Sequence, residues 1–250
     1  MRNKPKISVV IPTYNEEANI KKTLLAVKKQ KCDIAYEIIV VDGQSSDETV
    51  SIAKKYANVY ISPKRGKAFQ LNYAVPKTSG ELLLFLDADT LIKPYFLHRI
   101  ALTFNRSKNL FACSVRVKYH NEHNLSLKLG SLKFDITRFF FHNIIMHTWY
   151  FFKNLLGYPE LSGCNIIVRK DIFLKTDGFK QPPNSLGIDK VFSDSLIYLI
   201  RKEKKGKIKT LNSISVLTSR RNLDIKRSLK RIHQYFSMKE VYSELAKNME

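Results

Sequence analysis

Residues 81–90 read Glu-Leu-Leu-Leu-Phe-Leu-Asp-Ala-Asp-Thr, and the change of character at Asp87 organises the rest of the chain. Residues 81–86 form an apolar run with no alternation, the pattern of a strand covered on both faces, as in a parallel sheet. Three similar runs precede it: residues 7–11 (ISVVI), 37–41 (EIIVV) and 59–61 (VYI). Between them lie segments of helical period. Residues 16–31 place Ile20, Leu24 and Val27 on one face and lysines opposite. Residues 50–56 follow Ser46-Asp47-Glu48-Thr49, and residues 66–75 run helically until Pro76 stops them. Strands alternating with helices at short spacing predict βαβ units, and hence a right-handed, mostly parallel α/β sheet.

The 250 residues suit a single large domain with a substantial core. Lys and Arg number 43 against 22 acidic residues, a formal net charge of +21. Such a surface attracts nucleic acid, anionic headgroups or phosphorylated substrates, unless most of the lysines simply form solvated faces. Cys32, Cys113 and Cys164 are scattered and odd in number, which argues against a disulfide framework or zinc site and for a reducing compartment. The N-terminal apolar run is too short for a signal peptide, and no stretch reaches the roughly 18 apolar residues of a spanning helix. The expectation is a cytoplasmic protein that can lie peripherally on the cytoplasmic face of a membrane.

Beyond residue 110 the rhythm breaks. Residues 111–119 and 163–169 suit strands, and residues 189–205 suit a helix. Residues 125–156 are rich in Leu, Phe and Ile with no clean polar face on a helical wheel, and read as a helical, aromatic insert. From residue 219 the pattern is a basic helical tail. Residues 201–250 hold fourteen Lys or Arg against five Asp or Glu. The domain expectation is 1–215, divided into a nucleotide-sugar half at 1–110 and an acceptor half at 111–215, followed by a tail at 216–250.

Ligands of open parallel sheets bind at the carboxyl ends of the strands. The residues just past the four predicted strands are Pro12, Thr13, Tyr14, Asn15 and Glu16; Asp42 and Gly43; Lys64, Arg65, Gly66 and Lys67; and Asp87, Ala88 and Asp89. One sheet edge then carries carboxylates, an aromatic ring and a cationic, glycine-containing loop, which suits a nucleoside diphosphate with a divalent cation. Two carboxylates one residue apart, beside apolar surface, are costly to leave unpaired. Mg²⁺ or Mn²⁺ resolves that cost by joining them to substrate phosphates. A solvated turn would also accommodate them. Asp42 can accept from a base or ribose, or cap a turn. Arg65-Gly66-Lys67 can approach a diphosphate through its backbone and two cations, or lie at the surface as a basic turn.

Taken together, residues 8–20 (SVVIPTYNEEANI), 38–49 (IIVVDGQSSDET), 65–74 (RGKAFQLNYA), 80–90 (GELLLFLDADT) and 162–179 (SGCNIIVRKDIFLKTDGF) resemble the family 2 glycosyltransferases in order and spacing. The resemblance implies a glycosyltransferase-A fold and inverting sugar transfer from a nucleotide donor, UDP before GDP. It implies that Pro12, Tyr14 and Glu16 border the nucleoside and that Asp42 binds the base. Arg65, Lys67 and Asn72 would lie near the donor. Asp87 would meet ribose or sugar and, with Asp89, form the metal site. Gly163, Cys164 and Asn165 would line the donor-sugar and acceptor side.

The family's Glu-Asp ahead of a helix is matched imperfectly: residues 191–196 read Val-Phe-Ser-Asp-Ser-Leu, with Asp194 in the base position, Ser193 replacing the Glu, and Asp189 as competitor. Thr218-Ser219-Arg220-Arg221 resembles a stretch that follows the base region in the family, where Arg220 or Arg221 would either close over the donor diphosphate or face solvent. The acceptor is expected to be a saccharide or a polyprenyl- or other lipid-linked molecule; residues 125–156 and the basic tail either meet an anionic membrane surface or, for the aromatics, pack as an insert against the core. A nucleotidyltransferase would carry a glycine-rich loop where PTYNEE stands. An inactive homologue acting as a binding protein would suit the loss of Glu at Ser193. A nucleic-acid binder would leave Asp87, Asp89 and Asp194 without purpose, so no specific nucleic-acid partner is expected.

Overall fold

The computed structural model describes residues 6–119, 124–129, 132–137, 148, 159–181 and 187–219. The four expected strands are present as β1 (Ile7–Thr13), β2 (Tyr36–Asp42), β3 (Asn58–Ile61) and β4 (Leu82–Leu86). They are connected through α1 (Glu17–Lys28), α2 (Thr49–Lys54) and α3 (Lys67–Ala74). All pair in parallel, in the order β3-β2-β1-β4. Pro76 sits in a 3₁₀ turn, Val75–Lys77, where its missing N–H is tolerated and α3 ends. Because β1 lies between β2 and β4, chain direction along the sheet reverses there, which opens a crevice at the carboxyl ends of β1 and β4.

The sheet continues with strands the hydrophobic runs did not all reveal. They are β5 (Thr90–Ile92), β6 (Leu110–Tyr119), β9 (Asn165–Arg169) and β10 (Lys207–Thr218). The full order is β3-β2-β1-β4-β9-β6-β10-β5. β9 runs antiparallel to both β4 and β6, β10 parallel to β6, and β5 antiparallel to β10. Helix α4 (Phe96–Arg106), the short α5 (Lys170–Phe173) and α6 (Ile188–Glu203) complete the described elements around the sheet.

Period two within each strand divides the core. Ile7, Val9, Ile11, Leu82, Leu84 and Leu86 pack with Ile20, Leu24 and Val27 of α1 and with Phe96, Leu97 and Ile100 of α4. Val10, Leu83 and Phe85 face the other way, onto Ala68 and Leu71 of α3 and Phe192 and Leu196 of α6. There Phe85, Phe173, Phe179 and Phe192 form one aromatic cluster, with neighbouring centroids 4.6–5.6 Å apart.

Two expectations are corrected. The segment read as a helical insert opens instead with an antiparallel hairpin, β7 (Asn124–Leu129) and β8 (Leu132–Thr137). Leu125, Leu127 and Leu129 alternate with Ser126 and Lys128, and this period of two is why no helical polar face exists. The remainder of 125–156, apart from residue 148, lies outside the described residues, as does the tail from residue 220. Secondly, β10 runs across the boundary drawn at residue 215. Its register against β6 steps from Leu211↔Val115 to Ser215↔Arg116, so residues 212–214 form a bulge.

At the amino edge of the sheet a lock ties three strands. Oε1 of Glu37 accepts from Ser8 Oγ at 2.5 Å, from the Ser79 amide at 2.6 Å and from Ser79 Oγ at 2.8 Å. Burial alone would raise the Glu37 pKa; the Ser8, Ser79 and Gly80 donors outweigh it and hold the carboxyl below its usual range.

Candidate functional site

A cleft of about 460 Å³ opens at the carboxyl ends of β1 and β4. Pro12, Thr13, Tyr14, Glu16, Arg65, Gly66, Lys67, Gln70, Asp87, Ala88 and Asp89 line it. All but one of these were expected from the sequence. The volume lies in the range of small-molecule sites. A cavity of about 510 Å³ at the opposite strand ends, between Lys28, Tyr36 and Tyr56, gathers no comparable charged set.

The floor of the cleft is the turn Asp87-Ala88-Asp89, and its backbone is fixed from three sides. The Asp87 amide donates to Cys164 O (3.2 Å), the Thr90 amide to Asp87 O (3.0 Å), and Thr23 Oγ1 of α1 to Ala88 O (2.6 Å). The Asp87 carboxylate pairs with Lys67 Nζ, both side chains being about a third exposed (31% and 33%). Burial works against the Lys67 charge, but Asp87 beside it and Asp189 nearby raise its pKa, so it stays an ammonium at neutral pH. Burial likewise favours the neutral form of Asp87, and the ammonium opposes this. Asp89 accepts from Thr218 Oγ1 at 3.3 Å.

One wall is the basic loop. Gly66 caps α3 at φ 118°, a conformation only glycine adopts readily, and this lets Arg65 and Lys67 flank the same opening. The Arg65 guanidinium lies 5.1 Å from the Tyr14 ring centroid and donates to Tyr14 Oη at 3.3 Å. Gln70, one turn after Lys67, is the lining residue that sequence reasoning missed. Its amide donates to Thr13 O (2.7 Å) and Val41 O (2.8 Å), clasping the ends of β1 and β2. A polar residue at i+3 from Lys67, on the face that buries Ala68 and Leu71's helix, was the signal available for it. Gly43 lies close behind it: a Cβ there would sit 3.1 Å from the Gln70 amide, a tight approach that the side chain would have to yield to.

Several expected site residues serve the scaffold in this structure. Asp42 is fully buried and accepts from Thr13 Oγ1 (2.8 Å), the Ser45 amide (2.7 Å) and Ser45 Oγ (2.5 Å), the turn-cap arrangement. Asn15, at φ 51°, pins the loop after β1 to Ser45 and Ser46. Asn72 points away from the cleft, its amide clasping Phe179 by donating to O (2.7 Å) and accepting from N (2.9 Å). Five residues past Lys67 on a helix, it faces another direction. Asn165 is buried and extends the β9 ladder by accepting from the Val115 amide. Burial, then the Asp87 charge, push the Cys164 thiol up to about 11, so it is no nucleophile at neutral pH. Arg220 and Arg221 lie outside the described residues.

The two base candidates separate. Asp194 pairs with Lys190 one turn back on α6. Asp189, in the first turn of α6, accepts from the Gly163 amide at 3.1 Å. The carbonyl of that same Gly163 accepts from Lys67 Nζ at 3.0 Å. A single residue thus links Asp189 to the Lys67–Asp87 pair.

This chain is similar over 116 residues, at 30% identity, to the uncharacterized glycosyltransferase YfnE of Bacillus subtilis strain 168 (44% of this chain, 30% of the relative). It is 37% identical over 99 residues to a dolichyl-phosphate beta-glucosyltransferase of Mus musculus (33% of this chain, 31% of the relative). The matched segments therefore span about a third of these relatives. Among solved structures, S. aureus TarS 1–349 in complex with UDP-GlcNAc superposes with a TM-score of 0.61 at 23% identity, over 88% of this chain and 60% of that one. The mannosyltransferase PcManGT from Pyrobaculum calidifontis, in complex with GDP-Man and Mn²⁺, gives 0.62 at 19%, over 89% and 59%. These likenesses establish the fold. The sequence model of glycosyl transferase family 2 matches residues 8–176, so the chain belongs to that family.

Proposed function

We propose that this protein transfers a sugar from a nucleoside diphosphate sugar, UDP-linked before GDP-linked, to an acceptor hydroxyl with inversion, and that Asp189 rather than Asp194 is the base. The observation that carries the reading is the continuous set Asp87–Lys67–Gly163–Asp189, which joins a diphosphate-type cleft to a carboxylate standing apart from it. The residues also fit a divalent cation. No group of three or more acidic, His or Cys ligands occurs among the described residues. Mg²⁺ and Mn²⁺ need only one or two carboxylates when substrate phosphates complete the shell, and Asp87 and Asp89 supply two. When bound there, the cation would supply neutralisation of the leaving diphosphate.

The chain's own residues do the rest. Tyr14 and Arg65 border the nucleoside, and Arg65 and Lys67 offer cationic donors to the diphosphate. Asp189 accepts the proton of the acceptor hydroxyl as its oxygen bonds to the anomeric carbon, while the bond from that carbon to the diphosphate oxygen breaks on the opposite side. The relative named for dolichyl phosphate supports a lipid-linked acceptor. The net charge of +21 supports an anionic surface as the place of encounter. No helix among the described residues is long and apolar enough to cross a membrane.

A thermal-shift panel of UDP- and GDP-sugars with and without Mn²⁺ tests the donor reading. One nucleotide sugar should stabilise the protein in the presence of Mn²⁺, and Asp89→Ala should abolish that gain. Undiminished stabilisation of the variant would refute the metal assignment.

A further inference from the structure

Thr218 lies beyond residue 176, where the family match ends, yet β10 carries it to the cleft floor. Ile214, Val216 and Thr218 alternate on the buried side of β10, with the hydroxyl at a position the pattern would fill with an apolar residue. Across the antiparallel β5–β10 ladder Thr218 is the register partner of Thr90, which is fully buried. Thr90 Oγ1 donates to Thr218 Oγ1 at 3.0 Å, and Thr218 Oγ1 donates to Asp89 Oδ1 at 3.3 Å. Two buried hydroxyls therefore converge in series on one carboxylate of the candidate metal pair. The bulge at residues 212–214 selects which residue arrives: without it, the register from Leu211↔Val115 would bring Ser215, not Thr218, opposite Tyr119.

We propose that Thr218 is a positioning residue for Asp89, oriented in turn by Thr90. The inference rests on the metal reading given above. A carboxylate in a turn has side-chain rotations to lose when it binds a cation. A hydrogen bond from a buried hydroxyl removes that freedom beforehand and adjusts ligand basicity, as outer partners of metal ligands do. Because Thr90 donates into Thr218 Oγ1, the Thr218 proton remains available for Asp89. Packing alone gives no reason for a hydroxyl at either position, since valine has the same shape.

The test is Mn²⁺ titration in saturating UDP, repeated with GDP, reading free Mn²⁺ by its electron paramagnetic resonance signal. Wild type, Thr218→Val, Thr218→Ser, Thr90→Val and Asp89→Ala are compared, with thermal melting as the check on folding. Thr218→Val should weaken Mn²⁺ binding about tenfold or more, Thr218→Ser should stay within about twofold of wild type, and Thr90→Val should fall between. If Thr218→Val binds as wild type while Asp89→Ala does not, the positioning role is wrong and the metal reading stands. Equal losses in Thr218→Ser and Thr218→Val would overturn it too, by assigning the effect to the methyl group. If wild type itself binds no Mn²⁺ with either nucleotide, both readings fall.

Discussion

Gly163→Ala isolates the position of Asp189 without touching the cleft. Alanine keeps the backbone groups that contact Lys67 and Asp189, but its Cβ would lie 3.0 Å from Asp189 Oδ2, 3.1 Å from Cγ and 3.3 Å from Cβ. Ordinary contact requires the carboxylate to retreat by about half an ångström, which also stretches the 3.1 Å hydrogen bond from the Gly163 amide beyond effective range. A misplacement of about 1 Å at a reacting group costs on the order of 100-fold, so half of that costs about tenfold, or ~1.4 kcal/mol of barrier. We expect kcat to fall about tenfold with donor KM unchanged and melting temperature within about 2 °C of wild type. The assay is steady-state release of nucleoside diphosphate from the donor sugar, with differential scanning fluorimetry alongside. An unchanged kcat, or a loss confined to donor KM, would refute the role given to Asp189.

Asp189→Asn should retain nucleotide binding and lower kcat about 10²- to 10⁴-fold, whereas Asp194→Asn should keep kcat within a few-fold, its effect falling on stability through the lost pair with the buried Lys190; the reverse outcome, in the same turnover assay, returns the base to Asp194. Asn72→Leu leaves the buried Phe179 amide without its acceptor and should cost about 1–3 kcal/mol, seen as a lower melting temperature with nucleotide affinity intact; weakened nucleotide binding at full stability would place Asn72 at the donor after all. Glu37→Gln should cost about 1 kcal/mol at neutral pH, allowing for solvent screening. The folded carboxyl has a lowered pKa, so its stabilisation is present above the ordinary glutamate value and fades as pH falls through the folded one. Urea unfolding at about pH 7 and about pH 3 should show the difference shrinking in acid, and a pH-independent difference would rule out the charge as its source.

The first 110 residues were legible because their signals are local. Unalternating runs ending in polar residues give both the parallel strands and the sheet edge where Pro12 to Glu16, Arg65 to Lys67 and Asp87 to Asp89 meet. The part beyond residue 110 depends on pairings distant in sequence. β9 and β10 owe their places to partners in β4, β6 and β5, and Asp189 is tied to the cleft through Gly163. Two residues on one helix, Asp189 and Asp194, look alike in sequence, yet helical rotation turns them to different surroundings. Asn72 and Asp42 sit inside recognisable motifs, but Asn72 spends its hydrogen bonds on the Phe179 backbone and Asp42 spends its own on Thr13 and the Ser45 turn. The hairpin at residues 124–137 was the one local signal misread, its period of two taken for a helix without a polar face.

The hydroxyl contact between residues 90 and 218 spans 128 positions and also sets an order of events in the making of the protein. A chain leaving the ribosome can assemble β1 to β4 from near neighbours while β10 is still unsynthesised. Closing so long a loop is slow, and it comes after the local contacts have formed. The turn bearing Asp87 and Asp89 would thus stand complete in backbone but unbraced until β10 slots between β6 and β5. The contact from Thr218 to Asp89 would then be among the late ones to form, and fragments that stop short of β10 would lack it.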